Sequence, residues 1–383
     1  MFSSRLPWNQ LPNALSAALA SKRAAGASIL DLTESNPTRA SLPYPANILD
    51  ALSDNHGLVY DPNPRGLESA RHAVASYYRE RGAQIPASRV LLTASTSEAY
   101  SYLFQLLANP GDEILSPRPS YPLFEFLAGL SSVTIRQYPL RYDGAWHVDF
   151  GALQAAITSR TRAIVTVNPN NPTGSFLKRS ELEQLESLAS RHNLAVISDE
   201  VFRDYSFGPA ADRVTTLVGD RRALTFSMSG LSKIAGLPQL KLGWIVASGP
   251  GHEAALEAMD LIADTYLSVS TPVQIALPRL LESGSAIRGA LTQRLFSNVE
   301  SLREILTGSA GNPLNVEGGW YAVIQVPRTH TEEAWALRLL DEQNVLVQPG
   351  FYFDFETEAF LVVSLLTPEA TFTAGLRRLR AFL

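Results

Sequence analysis

Two apolar runs in the middle of the chain each end in polar residues that could hold a ligand. The first run, residues 163–167, is almost entirely apolar or β-branched and leads directly into residues 168–174, Asn-Pro-Asn-Asn-Pro-Thr-Gly. The second run, residues 194–198, is followed by Asp199 and Glu200. Such runs are typical of strands buried on both faces of a parallel sheet. Because the carboxyl ends of parallel strands line one crevice, the ligand site is predicted there.

The same order of strand, turn and helix recurs along most of the chain, which predicts an α/β fold with a mostly parallel central sheet sandwiched by helices. A chain of 383 residues is too long for one compact core of ordinary size, so two domains are expected. We assign residues 46–278 to a large ligand-binding domain. Residues 1–45 and 279–383 are assigned to a smaller α+β domain, because residues 316–326 and 344–366 alternate short strands with turns.

Composition excludes several classes of protein. The chain has no cysteine, so it has neither disulfides nor thiolate catalysis. Its six histidines are scattered without metal-binding spacing, so no metal site is expected. A net charge of -5 without a basic block argues against nucleic-acid binding, and no apolar run is long enough to span a membrane. The first residues lack the apolar core of a signal peptide, so a cytoplasmic location is expected.

The scarcity of lysine directs attention to one residue. The four lysines are Lys22, Lys178, Lys233 and Lys241. Lys22 and Lys178 lie in polar surroundings and are interpreted as solvated ammonium groups. Lys233 lies in residues 227–238, a turn of small residues between two apolar runs, where the backbone can approach a ligand closely. A lysine held partly out of water loses its proton more easily and becomes a nucleophile for carbonyl groups, although a surface loop lysine would have the same local pattern.

Two further turns could bind a ligand. Residues 94–97, Ala-Ser-Thr-Ser, open a predicted helix, and such a turn directs backbone N–H groups and hydroxyls to a position suited to phosphate. The same residues would also serve as an ordinary helix cap. In residues 168–174 the prolines shape the turn without donating N–H groups, which leaves the asparagine amides free for a ligand. Asp199 is equally compatible with a cap and with a site residue.

Taken together, these motifs resemble the fold-type I pyridoxal-phosphate enzymes, and among them the class I/II aminotransferases related to aspartate aminotransferase. The resemblance covers almost the whole chain. Its most specific elements are residues 171–174, residues 198–200, and Ser232-Lys233 with Gly243 ten residues after the lysine. The resemblance implies a pyridoxal 5'-phosphate cofactor and transfer of an amino group between an amino acid or amine and a 2-oxo acid.

The resemblance also implies a role for each matching residue. Lys233 would hold the cofactor as a Schiff base and then move a proton between substrate and cofactor. Asp199 would keep the cofactor's pyridine nitrogen protonated, which makes the ring an electron sink. Asn171 would donate to the phenolic oxygen and contribute to substrate binding, and Tyr121 would stack on the ring.

The remaining cofactor contacts implied by the resemblance involve the phosphate. Its cup would be formed by Ser95, Thr96 and Ser97, with Lys241 in place of a usual arginine. Ser232, next to the lysine, would also bind the cofactor. Tyr60 matches a tyrosine that reaches the phosphate in the neighbouring subunit, which implies a homodimer. The family pattern further predicts cis peptide bonds before Pro119 and Pro172.

The sequence departs from the family pattern at several positions. Phe202 stands where members usually have a tyrosine beside the phenolic oxygen, and Gly230 replaces a frequent phosphate-binding serine. Val362 stands where an arginine commonly binds the substrate carboxylate. We expect Arg39 to replace that arginine, because it follows the N-terminal loop that closes over substrate in the family, and Arg118 is the other candidate.

Two alternatives to an aminotransferase stay open from the sequence. The first is a pyridoxal-phosphate-dependent lyase or cyclase that acts on an amino acid with the same residues. The second is a cofactor-binding regulator that has lost turnover, which only the missing arginine supports. Whether the amino group leaves with the cofactor distinguishes the lyase or cyclase from the aminotransferase.

Overall fold

The computed structural model describes residues 2–8, 11–208 and 211–383. Its strands form one sheet of eight, one of four and one of two. In chain order they are β1 Leu30–Asp31, β2 Val90–Thr93, β3 Glu113–Arg118, β4 Thr134–Tyr142, β5 Trp146–Val148, β6 Thr161–Val167, β7 Ala195–Asp199, β8 Thr225–Gly230, β9 Gly243–Ser248, β10 Asn312–Pro313, β11 Tyr321–Gln325, β12 Val345–Leu346, β13 Gln348–Pro349 and β14 Phe360–Ser364.

The helices cover both faces of the large sheet and link it to the small one. They are α1 Ala14–Ala24, α2 Glu68–Arg79, α3 Thr96–Leu107, α4 Phe124–Leu130, α5 Phe150–Ala156, α6 Arg179–Arg191, α7 Leu231–Ile234, α8 His252–Tyr266, α9 Thr271–Leu306, α10 Glu332–Gln343 and α11 Glu369–Phe382. None of these helices combines the length and the apolar character that a membrane span requires.

The large sheet has the strand order β2-β9-β8-β7-β6-β3-β4-β5. The pairings β3–β4, β3–β6, β6–β7 and β7–β8 are parallel, whereas β9 runs antiparallel to both of its neighbours and β5 pairs antiparallel with β4. The mostly parallel sheet predicted from the sequence is therefore confirmed. Strands β6 and β7, the two apolar runs, are direct neighbours, so their carboxyl ends lie side by side.

Apolar side chains fill both faces of the large sheet. On one face, α3, α4 and α8 pack against residues such as Ile114, Val165 and Ile245. On the other face, α5 and α6 cover Leu115 and Ile164. Neighbouring residues of one strand thus contact different layers, as the two-residue period of a strand requires. The strands are rigidly held, and their ends are suited to position catalytic side chains.

The small sheet joins residues from the C-terminal part of the chain. Strand β14 pairs antiparallel with β11 and β13, and the N-terminal β1 pairs with β12. Strands from both ends of the chain thus pair with each other, and the smaller unit that combines both ends stays a prediction. The boundary predicted at residues 278 and 279 lies inside α9, which runs from Thr271 to Leu306 and contains Pro278. The exact domain limits, residues 46–278 against 1–45 and 279–383, stay a prediction.

One predicted strand begins later than expected. The mostly apolar residues 240–247 are typical of a strand, which the sequence predicts from residue 240, but β9 begins at Gly243. Residues Pro238–Leu240 form a 3-10 turn, and Lys241 adopts a left-handed backbone with φ of 51°. The peptide bonds before Pro119 and Pro172 are cis, as predicted, and so is the bond before Pro169.

Candidate active site

The polar residues that follow strands of the large sheet line one cavity at the carboxyl edge of its parallel strands. Asn171 follows β6, Asp199 ends β7, and Lys233 lies in the short helix α7 directly after β8. Thr96 and Ser97, at the start of α3, line the same cavity. The sequence therefore located these side chains on one crevice, although they are separated by up to 137 residues along the chain (233 − 96).

Lys233 has the character of a nucleophilic amine. Burial lowers the pKa of its ammonium from the usual 10.5 to about 8, and the nearby Asp199 carboxylate opposes this shift. The Nζ atom lies 4.5 Å from the centroid of the Trp320 ring and 5.5 Å from that of Phe202. Aromatic faces stabilise the charged amine while excluding water. The amine is consequently poised to change protonation state near neutral pH.

Hydrogen bonds hold the backbone around Lys233. The hydroxyl of Tyr205, a fully buried residue, donates to the Lys233 carbonyl oxygen at 2.6 Å, and the N–H of Leu231 donates to the Leu242 carbonyl at 3.0 Å. A side chain at Gly230 would place its Cβ 2.9 Å from the backbone of both Gly243 and Leu242. The close approach of two strands explains why glycine, and not serine, occupies this position.

Asp199 is a buried carboxyl group with two hydrogen-bond donors. Burial raises its pKa from 3.8 to about 6, while the Val201 N–H at 3.2 Å and the Tyr100 hydroxyl at 3.1 Å favour the ionised form. An opposite charge brought next to this carboxyl would ionise it fully. Tyr100 was not identified from the sequence. It lies four residues after Thr96 on α3, and this helical spacing places it on the face shared with Thr96.

The turn before α3 provides an anion-binding position. Ser95 is the N-cap, and its hydroxyl accepts the Glu98 N–H at 3.2 Å, so this side chain has a structural role. Thr96 and Ser97 line the cavity at the first turn of a helix of 12 residues. Their backbone N–H groups have no partner within the helix and, with their hydroxyls, suit a phosphate.

Aromatic and amide side chains form the remaining walls. Tyr121 is 44% exposed at the cavity mouth, whereas Phe202 is buried against Trp320 with ring centroids 5.3 Å apart. Asn171 is 7% exposed, and its amide oxygen lacks a hydrogen-bond partner among the described residues. Ser232 also lines the cavity. A buried amide facing a cavity without a partner indicates a polar ligand.

The structure does not bring four of the predicted site residues to the lining of this cavity, the helix cap Ser95 and three others. Arg39 ends the 3-10 turn Pro37–Arg39 and is exposed. Lys241 is also exposed, although β9 passes next to the Ser95 turn two residues later. Tyr60 is 70% exposed on a different surface. Roles for Lys241 and Tyr60 toward a phosphate stay predictions, as does the role of Arg39 toward a substrate.

The surroundings of the two lysines interpreted as solvated differ from the prediction. Lys178 is not freely solvated, because its amine pairs with Glu317 at 2.6 Å and is only 19% exposed. Lys22 pairs with Asp341 at 3.3 Å. Partners 139 and 319 residues away along the sequence provide these ion pairs, and local composition does not show them (317 − 178 and 341 − 22). Both amines pair with carboxylates and neither lines the cavity, so neither competes with Lys233 as the site amine.

Several other cavity residues were not found from the sequence. The cavity is also lined by Ser35, Phe124, Val167, Val201 and Tyr321. Ser35 comes from the N-terminal loop and Tyr321 from β11 of the small sheet, so the cavity lies between the two predicted units. Tertiary packing alone brings these segments together.

The polar groups that line the cavity are one amine, one carboxyl group, one amide and several hydroxyls. Within the described residues, no group of three or more histidine, aspartate or glutamate side chains is placed to hold a metal ion. The polar set of the cavity suits hydrogen bonds to an organic ligand that carries both donors and acceptors.

The large sheet presents a lysine, an aspartate and a helix N-terminus to one cavity. Comparison with known proteins assigns a chain with this arrangement to the enzymes of the transferase class. The family model "Aminotransferase class I and II" matches residues 27–379. The chain belongs to the aminotransferase class I and II family.

Individual relatives agree with this assignment. Glutamate-pyruvate aminotransferase AlaA of Haemophilus influenzae is 28% identical over 353 residues, which cover 89% of this chain and 87% of the relative. Human tyrosine aminotransferase is 29% identical over 87% of this chain and 75% of its own length. A crystal structure of an aminotransferase from Escherichia coli has a TM-score of 0.87 at 26% identity, covering 100% of this chain and 98% of that chain. These relatives favour amino-group transfer over the lyase or cyclase hypothesis.

Proposed function

We propose that this protein is a homodimeric aminotransferase that uses pyridoxal 5'-phosphate, with Lys233 as its covalent attachment point. One observation carries the proposal. Lys233 and Asp199 face the same cavity, and burial shifts the pKa values of both groups toward neutrality, to about 8 and about 6. Such paired shifts of an amine and a carboxyl group are typical of catalytic sites.

The residues of the cavity fit each part of pyridoxal phosphate. The helix N-terminus at Thr96 and Ser97 suits the phosphate group, and the buried carboxyl of Asp199 suits the ring nitrogen. The NH2 group of the Asn171 amide suits the phenolic oxygen as a donor, and Tyr121 suits the ring face. Ser232 adds a hydroxyl next to the lysine. Ser95 supports the phosphate position through the helix cap that it forms.

When bound, the cofactor supplies an aldehyde that condenses with amines and a ring that accepts electrons. Lys233 would provide the attachment point and, once displaced by the substrate amine, would take the proton from the substrate carbon that bears the amino group. Burial lowers its pKa to about 8, which increases the neutral fraction that can accept this proton. The hydrogen bond from Tyr205 fixes the backbone from which the lysine side chain extends.

Asp199 holds the proton on the ring nitrogen by placing a carboxylate beside it. Tyr100 and the Val201 N–H stabilise the charge of that carboxylate through their hydrogen bonds. Phe202 has no hydroxyl that could donate a hydrogen bond to the phenolic oxygen. The Asn171 amide is therefore the group that would donate to that oxygen. Phe202 instead packs beside Lys233 and helps exclude water from the site.

We expect the rate at which pyridoxal phosphate attaches to the protein to rise roughly tenfold per pH unit below about pH 8 and to level off above it. Only the neutral amine attacks a carbonyl, and lowering the pKa increases the neutral fraction at any given pH. Stopped-flow absorbance of the cofactor, recorded between about pH 6 and about pH 11, measures this rate. A rate that continued to rise until about pH 10 would contradict the assignment of a buried lysine.

An exposed apolar surface supports a homodimer. Residues 58–60 are three consecutive apolar side chains with exposures of 86%, 68% and 70%, and Leu261 and Tyr266 of α8 are 75% and 55% exposed. Tyr60 lines the same surface pocket as Ala263, so the two groups adjoin. A contiguous apolar surface of this kind marks an interface. We propose that this surface pairs two copies of the chain and directs Tyr60 toward the cofactor phosphate of the neighbouring subunit. Sedimentation of the holoenzyme tests whether the dimer forms.

The proposal is tested by one turnover with an amino donor in the absence of an acceptor. A transferase leaves the amino group on the cofactor, and its absorbance changes to that of pyridoxamine phosphate. A lyase or cyclase releases its product with the cofactor aldehyde restored. A restored aldehyde together with a converted substrate would therefore contradict the proposal. A cytoplasmic location stays a prediction that cell fractionation tests.

A further inference from the structure

The position at which the family pattern places a carboxylate-binding arginine lies within an apolar cluster. Val362 of β14 is fully buried opposite Val323 of β11. Around them pack Trp146 and Phe353, and the half-buried Tyr321 joins the same cluster. Tyr321 also lines the cavity, so its ring lies between the cavity and this apolar region. The wall that would receive a substrate carboxylate is therefore aromatic and aliphatic.

The part of the chain that the structure describes offers no replacement for the missing positive charge. Among the described residues that line the cavity, Lys233 is the only basic one, and it is committed to the cofactor. Arg39 is exposed and outside the lining. Arg118 forms an ion pair with Glu356, which also accepts a hydrogen bond from Arg141 at 2.5 Å. A substrate carboxylate would leave water without an opposite charge to meet it, which is unfavourable.

An acidic residue adjoins this side of the cavity in the chain. Glu34 immediately precedes Ser35, which lines the cavity, and its carboxylate accepts the Asn36 N–H at 2.8 Å. The Ser364 hydroxyl donates to the Glu34 carbonyl oxygen at 2.6 Å and fixes this loop on the small sheet. Burial raises the pKa of the Tyr321 hydroxyl to about 12, and the Glu34 charge adds to the rise. Glu34 therefore lies on a loop that is held beside the cavity residues Ser35 and Tyr321.

We propose that the preferred amino donor is a primary amine whose amino-bearing carbon carries no carboxylate, and that Glu34 favours a donor with a second positively charged group. This inference rests on the proposed aminotransferase function and specifies its substrate class. Such a donor avoids placing an unpaired carboxylate beside Val362 and Tyr321. Its distal ammonium group would pair with Glu34, a partner that an amino acid with a neutral side chain does not use.

The atoms and electrons of this transfer balance with the proposed cofactor and water, without another reagent. The incoming amine would displace the Lys233 amine from its bond to the cofactor, so one amine leaves as the other binds and no water is lost. Lys233 would then take a proton from the carbon that bears the amino group and return it to the cofactor carbon, while the electron pair passes through the cofactor. Uptake of one water would release the donor as an aldehyde and leave its amino group on the cofactor.

Matched donors test the inference on the wild-type holoenzyme. Butylamine and norvaline differ only by the α-carboxylate of norvaline, and each has a single amino group. Single-turnover absorbance gives the rate constant and apparent affinity for each. We expect the ratio of rate constant to apparent dissociation constant to be at least about tenfold higher for butylamine. An equal or higher ratio for norvaline would overturn the inference while leaving amino-group transfer intact. Failure of every amine and amino acid to aminate the cofactor would instead overturn the proposed function.

Two variants separate the contribution of the Glu34 charge from that of the Arg39 charge. Glu34→Gln keeps an oxygen acceptor for the Asn36 N–H, so the loop can retain its structure. We expect this variant to reduce the preference for putrescine over butylamine, a donor without a second charge, by about tenfold. An unchanged preference would overturn the role of Glu34. For norvaline, a loss of roughly 30-fold in Arg39→Ala would show that Arg39 binds the carboxylate after all and would overturn the inference.

Discussion

Replacing Lys233 with alanine is expected to lower the rate of amino-group transfer by at least about 10⁴-fold, the largest effect of any single substitution in this chain. The change removes both the attachment point of the cofactor and the base that moves the proton. Because Asn171, Asp199 and the helix N-terminus stay in place, we expect the variant to bind pyridoxal phosphate weakly without the spectrum of the attached form. Steady-state transfer and absorbance spectra measure the two effects.

Lys22→Ala is the matched control. Lys22 pairs with Asp341 and does not line the cavity, and its removal is expected to leave the transfer rate within about twofold of wild type. If Lys233→Ala retained transfer close to that of Lys22→Ala, Lys233 would not be the catalytic amine. A thermal unfolding curve for each variant excludes loss of the fold as the cause.

The second-largest effect is expected at Asp199. Asp199→Asn should lower the transfer rate by roughly 10²- to 10³-fold, the range seen when one group that stabilises developing charge is removed. The amide is similar in size to the carboxyl group but cannot hold a proton on the ring nitrogen by charge. We expect Tyr100→Phe, which removes only one hydrogen bond to this carboxyl, to lower the rate by about tenfold. Equal losses in the two variants would contradict the central role of the Asp199 charge.

Stability provides an independent check on Asp199. Its pKa is about 6 in the folded protein, against 3.8 for an ordinary aspartate, so the folded state holds the proton more tightly than the unfolded state does. This carboxyl therefore contributes stability at low pH that is lost as pH rises through about 6. Above that pH, cofactor-free Asp199→Asn should unfold at a temperature equal to or higher than wild type. A markedly lower unfolding temperature would mean that Asp199 supports the fold as well as catalysis.

The sequence could predict the residues that end strands of the parallel sheet. Asn171, Asp199 and Lys233 follow apolar runs, and the geometry of parallel strands places such ends together. The hydroxyls at the start of α3 were recognisable from helix capping patterns. These rules depend on residues that are close in sequence. The fold class was predicted from the same kind of local pattern, the recurring order of strand, turn and helix.

The residues that complete the cavity depend on packing between distant segments. Tyr321 reaches it because β11 pairs with β14, and Ser35 because the N-terminal loop is fixed on Ser364. No local pattern specifies either contact. The same limit applies to Arg39, which follows a suitable loop in sequence but is exposed in the folded chain. Position beside a motif does not determine the direction in which a side chain points.

The most direct test of the account is to identify the amine that holds the cofactor. Sodium borohydride converts the bond between pyridoxal phosphate and a protein amine to a stable one, and peptide mass spectrometry locates it. Because Lys233 lines the cavity and burial lowers its pKa, we expect the added mass on the peptide that contains Lys233. Stoichiometric labelling of Lys22, Lys178 or Lys241 in its place, or of none of the four, would contradict the account.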